Sequence, residues 1–251
     1  MADKLEVRGL HKAYRVDGTV TKVLEGVELT AAEHAFVSII GPSGCGKSTL
    51  FSIICGLQEP DRGEILLDGL PSSQRLGAVA YMPQRDLLLP WRNVLDNVVL
   101  GPEVRGEDAK AARREARDML PLFGLDGFAE SYPAALSGGM RQRAALLRTF
   151  MCRRELLLLD EPFGPLDAIT RMDLQEWLLR VWQEFRHTIL FVTHDVEEAL
   201  FLSDYVYVLS PRPAQVRLAK AVDLPRPRRR AVTTTIEFAA LKQEVLEALT
   251  S

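Results

Sequence analysis

Apolar runs and polar turns alternate along the chain, and the period changes twice. Residues 5–10 and 23–30 read as short strands around the polar turn Val16-Asp17-Gly18-Thr19. Residues 35–40, Ala-Phe-Val-Ser-Ile-Ile, form an apolar run of strand length, and 50–54 continue apolar without a breaker, as a helix would. A dense turn signal at 59–63 precedes strand-like runs at 64–67 and 77–82, the second leading into Pro83-Gln84. From about 85 to 154 the pattern is helical. Ala112, Ala116, Met119, Leu120 and Phe123 share one face, and Ser137 is a good N-cap type before an unbroken stretch from Met140 to Met151. Strand character returns at 156–159, followed by a helix over 170–186, a strand over 188–193 and a helix to 202. Strands over 205–209 and around Val216 and a terminal helix over 238–249 complete the series. This β/α alternation predicts a mostly parallel, helix-covered sheet, whose ligands bind at the carboxyl ends of its strands.

The polar residues at those strand ends carry the chemistry. Gly41-Pro42-Ser43-Gly44-Cys45-Gly46-Lys47-Ser48-Thr49 fits G-x-x-x-x-G-K-[ST] and lies between the run at 35–40 and the helix that follows. Its glycines let backbone N–H groups curl around phosphate oxygens, and the helix start adds a positive dipole end. Lys47 would reach the β- and γ-phosphates and Ser48 would ligate Mg²⁺. Asp160, after four leucines, would hold the same ion; Glu161 would polarise the attacking water. His194 would bond the γ-phosphate and that water, and Gln84 would reach the metal or the water. Gly41, Gln84, Asp160-Glu161 and His194 each follow an apolar run, so all four are expected on one rim of the sheet.

Composition narrows the class. The chain has 251 residues, 47% hydrophobic and 26% charged, with a net charge of −3, which gives no general nucleic-acid signal. No apolar run approaches transmembrane length and the polar start at 1–6 does not read as a secretory signal, so a cytoplasmic chain is expected, with any membrane role supplied by a partner. Three cysteines, Cys45, Cys55 and Cys152, without framework spacing predict reduced thiols; Cys45 gives an incidental sensitivity to thiol reagents and no catalytic role.

Leu136-Ser137-Gly138-Gly139-Met140-Arg141-Gln142-Arg143 resembles the signature motif of ATP-binding-cassette (ABC) ATPases, and the phosphate loop, Gln84, 156–161, Pro165-Leu166-Asp167 and His194 follow that family's order. The resemblance spans nearly the whole chain. It implies a P-loop NTPase fold of α/β class, with a mostly parallel core sheet, an antiparallel β subdomain and an inserted α-helical subdomain. The expected layout is a single ABC ATPase domain over 1–251: 1–84 and 155–251 as a RecA-like core with the β subdomain, and about 85–154 as the helical subdomain. It further implies that two cassettes, expected to be identical chains, pack head-to-tail. ATP would lie between the phosphate loop of one and Ser137, Gly138 and Gly139 of the other, with Asp167 at the seam. Tyr14, on its own an ordinary strand aromatic, becomes by resemblance the adenine-stacking residue.

The segment 81–91, Tyr-Met-Pro-Gln-Arg-Asp-Leu-Leu-Leu-Pro-Trp, is similar to the importer group for nitrate, sulfonates and taurine, and within it to transporters of thiamine pyrimidine precursors. Transmembrane permease subunits, an indirectly engaged solute-binding protein and a place on the cytoplasmic face of the inner membrane follow from that resemblance. An exporter ATPase or a non-transport ABC ATPase is the alternative. Leu87, Leu88, Leu89 and Trp91 fit either a lip that receives a helix of a membrane subunit, with Leu88 and Trp91 docking, or packing inside the helical subdomain. Glu33-His34-Ala35 replaces the Gly-Glu turn usual before the phosphate-loop strand, Pro165 a common Ala or Ser, and Leu147 and Thr149 more usual residues after the signature. The basic run Arg226, Arg228, Arg229, Arg230 reads as a solvated face, with contact to anionic lipid as the other reading.

Overall fold

A computed structural model of the protein describes residues 3–16 and 18–250; Met1 and Ala2 of the polar start, and Asp17 of the first turn, lie outside them. In chain order the first part comprises β1 (Asp3–Val16), β2 (Thr19–Ala32), β3 (Phe36–Ile40), α1 (Lys47–Ile54), β4 (Arg62–Leu67), β5 (Leu70–Pro71) and β6 (Ala80–Met82). The middle comprises α2 (Val94–Val98), α3 (Leu100–Val104), α4 (Ala109–Met119), α5 (Gly138–Phe150), β7 (Leu156–Asp160) and α6 (Ala168–Phe185). The chain closes with β8 (Thr188–Thr193), α7 (Val196–Leu202), β9 (Tyr205–Leu209), β10 (Val216–Ala221) and α8 (Ile236–Thr250). These form two compact units, one from 1–79 with 185–251 and one from 80–184.

In the first unit β3 lies between two parallel neighbours, β8 and β9, and β10 runs antiparallel beside β9. All residues of β3 and β8 are buried, which is why their sequences are continuous apolar runs rather than alternating ones. A separate antiparallel sheet has the order β2-β1-β4-β5. Its first two strands run to 14 residues each, well past the expected 5–10 and 23–30. The extension at the hairpin end carries exposed residues such as Thr19–Lys22, so the backbone ladder, not an apolar stripe, sustains it. Conversely β6 is shorter than the run at 77–82, because Gly77 has φ +78° and the Ala78 N–H bonds the Arg75 carbonyl at 2.9 Å, a turn that consumes 77–79.

Two departures noted in the sequence acquire reasons. His34 takes φ +63°, the left-handed conformation a glycine would adopt freely, and is held there by its N–H to Thr188 Oγ1 at 2.9 Å and by contact of its ring nitrogen with the Arg186 carbonyl. Thr149 is buried with its hydroxyl satisfied by the Ala145 carbonyl at 2.9 Å, and Leu147 is fully buried. All three cysteines are free, but Cys45 is only 2% exposed, so its thiol is shielded rather than open to reagents.

The basic run is not a solvated face. Arg226 pairs with Asp204 at 2.7 Å and donates to the Leu202 carbonyl. Arg228 is buried and donates to the carbonyls of Leu200, Phe201, Ser203, Val222 and Leu224; desolvation pushes its pKa down to about 10. Arg230 lies over the Phe201 ring at 4.3 Å. Arg226 and Arg228 collect carbonyls at the end of α7, Arg230 covers the Phe201 ring there, and together they fasten the segment after β10 to that helix; Arg229 is the exposed member. No helix among the described residues is long and apolar enough to cross a membrane.

In the second unit β6 and β7 pair in parallel, Ala80 opposite Leu157 and Met82 opposite Leu159. Phe123 sits at the centre of the helical packing, edge-on to Phe150 at 5.4 Å and to Trp177 at 5.2 Å. Ala112, Ala116 and Leu120 are buried with it, as the helical face predicts; Met119 is half-buried. Arg143 lies over the Trp177 ring at 5.1 Å, and its pKa is lowered chiefly by desolvation.

Candidate functional site

In the first unit the strand register sets the geometry. Ile40 pairs with Thr193 on β8 and with Val208 on β9, so Gly41 and His194 leave adjacent parallel strands at the same level. The chain then turns through Gly44, at φ +74°, and Gly46, at φ +130°. A Cβ on Gly46 would lie 2.9 Å from Val23 Cγ1, so both conformation and space demand glycine there. Gly46 caps α1 without a side-chain bond, leaving the first N–H groups of that helix to the loop. Lys47 is 6% exposed and its ammonium lies inside the curl, donating to the carbonyls of Gly41 at 2.8 Å and Pro42 at 3.1 Å. Ser43 and Ser48 are exposed and Thr49 half-buried. A buried cation surrounded by helix-start N–H groups is a receptor for a multiply charged anion. Tyr14, near the end of β1, bonds Gln58 through its hydroxyl, and Lys12 stands 5.8 Å from its ring centre.

In the second unit β6 ends at Met82, followed by Pro83 and Gln84, and its parallel partner β7 ends at Asp160. Asp160 is 4% exposed and accepts from the Tyr81 hydroxyl at 3.3 Å. Glu161 has φ +44°, an uncommon backbone conformation for a residue with a side chain, and its carbonyl accepts from the Gly164 N–H at 3.1 Å. Its carboxylate accepts from Gln84 Nε2 at 3.2 Å, which joins two of the sequence-chosen residues directly. Ser137 caps α5, accepting from the Met140 N–H at 3.2 Å. Gly138 and Gly139 begin that helix, and Gly139 is needed for packing too: a Cβ there would meet Thr170 Cγ2 at 3.0 Å. Asp167 caps α6 through the N–H groups of Ile169 and Thr170, and the bonds from Thr170 hold its pKa below the usual carboxylate range.

A groove of about 760 Å³ runs among Gln84, Asp86, Leu87, Gly138, Arg141 and Pro165. Leu88 is 8% exposed and packs inward, which removes it as a docking residue; Trp91 is 71% exposed and Leu87 50%. Asn97, fully buried, fixes the stretch between them. It accepts from the Leu89 N–H at 2.7 Å and donates to the carbonyls of Leu89, Arg92 and Asn93. Tyr81 and Asn97 were not singled out from sequence. Their importance depends on register and loop closure, and only the position of Tyr81 three residues before Gln84 hints at it.

The comparisons agree with this chemistry. The ABC transporter family profile matches residues 24–164. The formylaminopyrimidine import ATP-binding protein ThiZ of Halalkalibacterium halodurans is 44% identical over 213 residues, covering 85% of this chain and 82% of that protein. The taurine import ATP-binding protein TauB of Rhizobium johnstonii is 40% identical over 241 residues, 93% and 91% of the two chains. Among solved structures, a dimeric ATP-binding cassette in a post-hydrolysis state bound to ADP and Pi superposes with a TM-score of 0.76 at 27% identity, covering 88% of this chain and all of that one. With the phosphate loop, the strand-end acids and the capped signature helix in place, the chain belongs to the ABC transporter family and is an ATP-binding, ATP-hydrolysing cassette of α/β P-loop fold.

Proposed function

We propose that this chain is the energising subunit of a bacterial importer for a small solute of the nitrate, sulfonate, taurine or pyrimidine-precursor type. The buried Lys47 ammonium inside the curl of 41–46 carries the nucleotide half of the reading; the importer half rests on the relatives' names and on the exposed Trp91. Lys47 and the N–H groups of 42–49 hold the phosphates, and Tyr14 stacks on adenine with the ring face away from Lys12. Ser48, Gln84 and Asp160 offer hydroxyl, amide and carboxylate oxygens, a hard donor set of the kind Mg²⁺ shares with substrate phosphates, and no group of three His, Cys, Asp or Glu among the described residues competes as a self-contained cage. Bound Mg²⁺ would neutralise charge on the phosphates. Glu161 takes the proton of the attacking water, His194 orients that water, and Gln84, already bonded to Glu161, reports on the site.

Within the single domain the inserted helical subdomain occupies about 85–154, around α2 to α5. Two copies close head-to-tail, Ser137, Gly138 and Gly139 of one meeting ATP on the other, with Asp167 at the seam; a two-fold pair supplies the second anion contact that one chain does not need. Closure and release drive permease subunits at the cytoplasmic face of the inner membrane, which in turn engage a solute-binding protein.

Two substitutions test this reading. Ser137→Arg should abolish the ATP-induced dimer, seen by light scattering, while nucleotide affinity of the monomer stays within about twofold, because the new side chain fills the partner-facing anion site; a normal dimer removes the role in trans. Trp91→Ala should cut transport in reconstituted vesicles by roughly tenfold or more, the usual weight of an exposed aromatic anchor, with solution ATPase unchanged. A full transport rate takes Trp91 out of the permease contact.

A further inference from the structure

The loop after Gln84 is tied to α5 by three side chains that the nucleotide chemistry does not use. Arg148, on the last turns of α5, donates to the Leu87 carbonyl at 2.7 Å and, through its other terminal nitrogen, to the Asp86 carbonyl. Both carbonyls face one guanidinium because Leu87 adopts φ +45°, a left-handed conformation that a leucine reaches only under constraint. Arg148 is largely desolvated, which lowers its pKa, so the fork is spent on these two acceptors rather than on water. At the other end of α5, Arg141 Nε lies 3.4 Å from Asp86 Oδ2, and Arg141 Nη1 donates to the Leu136 carbonyl at 2.8 Å, immediately before the Ser137 cap. The second Asp86 oxygen accepts from the Leu88 N–H at 3.1 Å, which fixes the carboxylate that Arg141 meets. Asp86 is thus gripped from both ends of one helix and Leu87 from its last turns, and the groove of about 760 Å³ beside them is lined by the loop and by the start of α5 together.

We propose that Asp86, Arg141 and Arg148 form a latch that makes the 84–88 loop and the signature helix move as one piece. The latch couples Gln84, bonded to the catalytic carboxylate of the same chain, to Ser137-Gly138-Gly139, which serve the ATP of the other chain. A displacement at Gln84 is carried by the two Arg148 bonds and the Asp86–Arg141 pair to the start of α5, with no change needed inside the helix. Arg141 and Arg148 are positioning residues; neither touches nucleotide in this scheme. The inference rests on the proposed roles of Gln84 and the signature helix in a two-cassette site.

The test uses the full chain in a Glu161→Gln background, where ATP-driven dimers accumulate. Arg148→Met and Asp86→Asn are each expected to leave monomer affinity for ATP within about twofold and to weaken the ATP-induced dimer roughly tenfold, the loss of one to two charge-assisted hydrogen bonds. Arg148→Lys, which can reach one carbonyl, should recover part of that loss. Amide exchange at residues 85–89 should rise in Arg148→Met relative to the parent, while exchange across α5 stays unchanged. Wild-type dimer affinity in both variants, or a loss that tracks general unfolding of α5, overturns the latch. If the parent Glu161→Gln chain binds ATP yet never dimerises, the two-cassette reading fails instead, and the two failures are separable.

Discussion

Glu161→Gln is expected to bind MgATP with near-parental affinity and to turn it over about 10²- to 10⁴-fold more slowly, the range lost with a general base. The substitution is nearly isosteric. A glutamine at 161 can take the same φ of +44°, keep the Gly164 N–H on its carbonyl and still accept from Gln84 through its side-chain oxygen. The strained backbone and the contact to the loop therefore survive, and only the carboxylate proposed as the proton acceptor is removed. In the proposed two-cassette cycle closure needs bound triphosphate and release needs its hydrolysis, so the ATP-bound dimer should then persist. Steady-state phosphate release and size-exclusion chromatography with MgATP read the two effects separately. Hydrolysis at the parental rate would remove Glu161 as the base.

Lys47→Ala should lose nucleotide binding itself. Lys47 is 6% exposed and its ammonium already shares two of its donors with loop carbonyls, which leaves a third donor and the charge within the curl of 41–46. Truncating a buried partner of a charged hydrogen bond costs about 3 kcal/mol, roughly 150-fold in affinity. The alanine also takes the ammonium away from the Gly41 carbonyl and leaves the Pro42 carbonyl with the Cys45 N–H alone, at 3.2 Å, which loosens the turn. Equilibrium binding of a fluorescent ATP analogue measures the loss, and unchanged affinity would sink the phosphate-loop assignment.

The strand ends were legible because buried parallel strands carry little but apolar residues, so the first polar residue after each run marks the rim. Gly41 and His194 leave β3 and β8 level with each other, and Gln84 reaches Glu161. The helical face of α4 was legible for the same reason, an uninterrupted period. Other features left no such mark. The length of β1 and β2 depends on main-chain pairing between exposed residues, which no apolar pattern records. The direction in which Leu88 faces is decided by its N–H bond to the Asp86 carboxylate and by Asn97 holding the next residues, not by its own hydrophobicity. Arg228 looked like a surface charge because charge runs usually are; here five carbonyls near the ends of α7 and β10 supply what water would have supplied.

The amino-acid sequence by itself determined the nucleotide chemistry of this protein. The phosphate loop presents backbone N–H groups whose geometry glycine spacing dictates, and the candidate site residues that follow it stand at local caps and strand ends. The tertiary structure alone decided how those parts are held. The Gln84–Glu161 bond, the closeness of Gly139 to α6, the grip of Arg148 on Asp86 and Leu87 and the burial of Arg228 all join residues far apart in the chain. Such contacts depend on register and packing, which a one-dimensional pattern of apolar and polar positions does not encode.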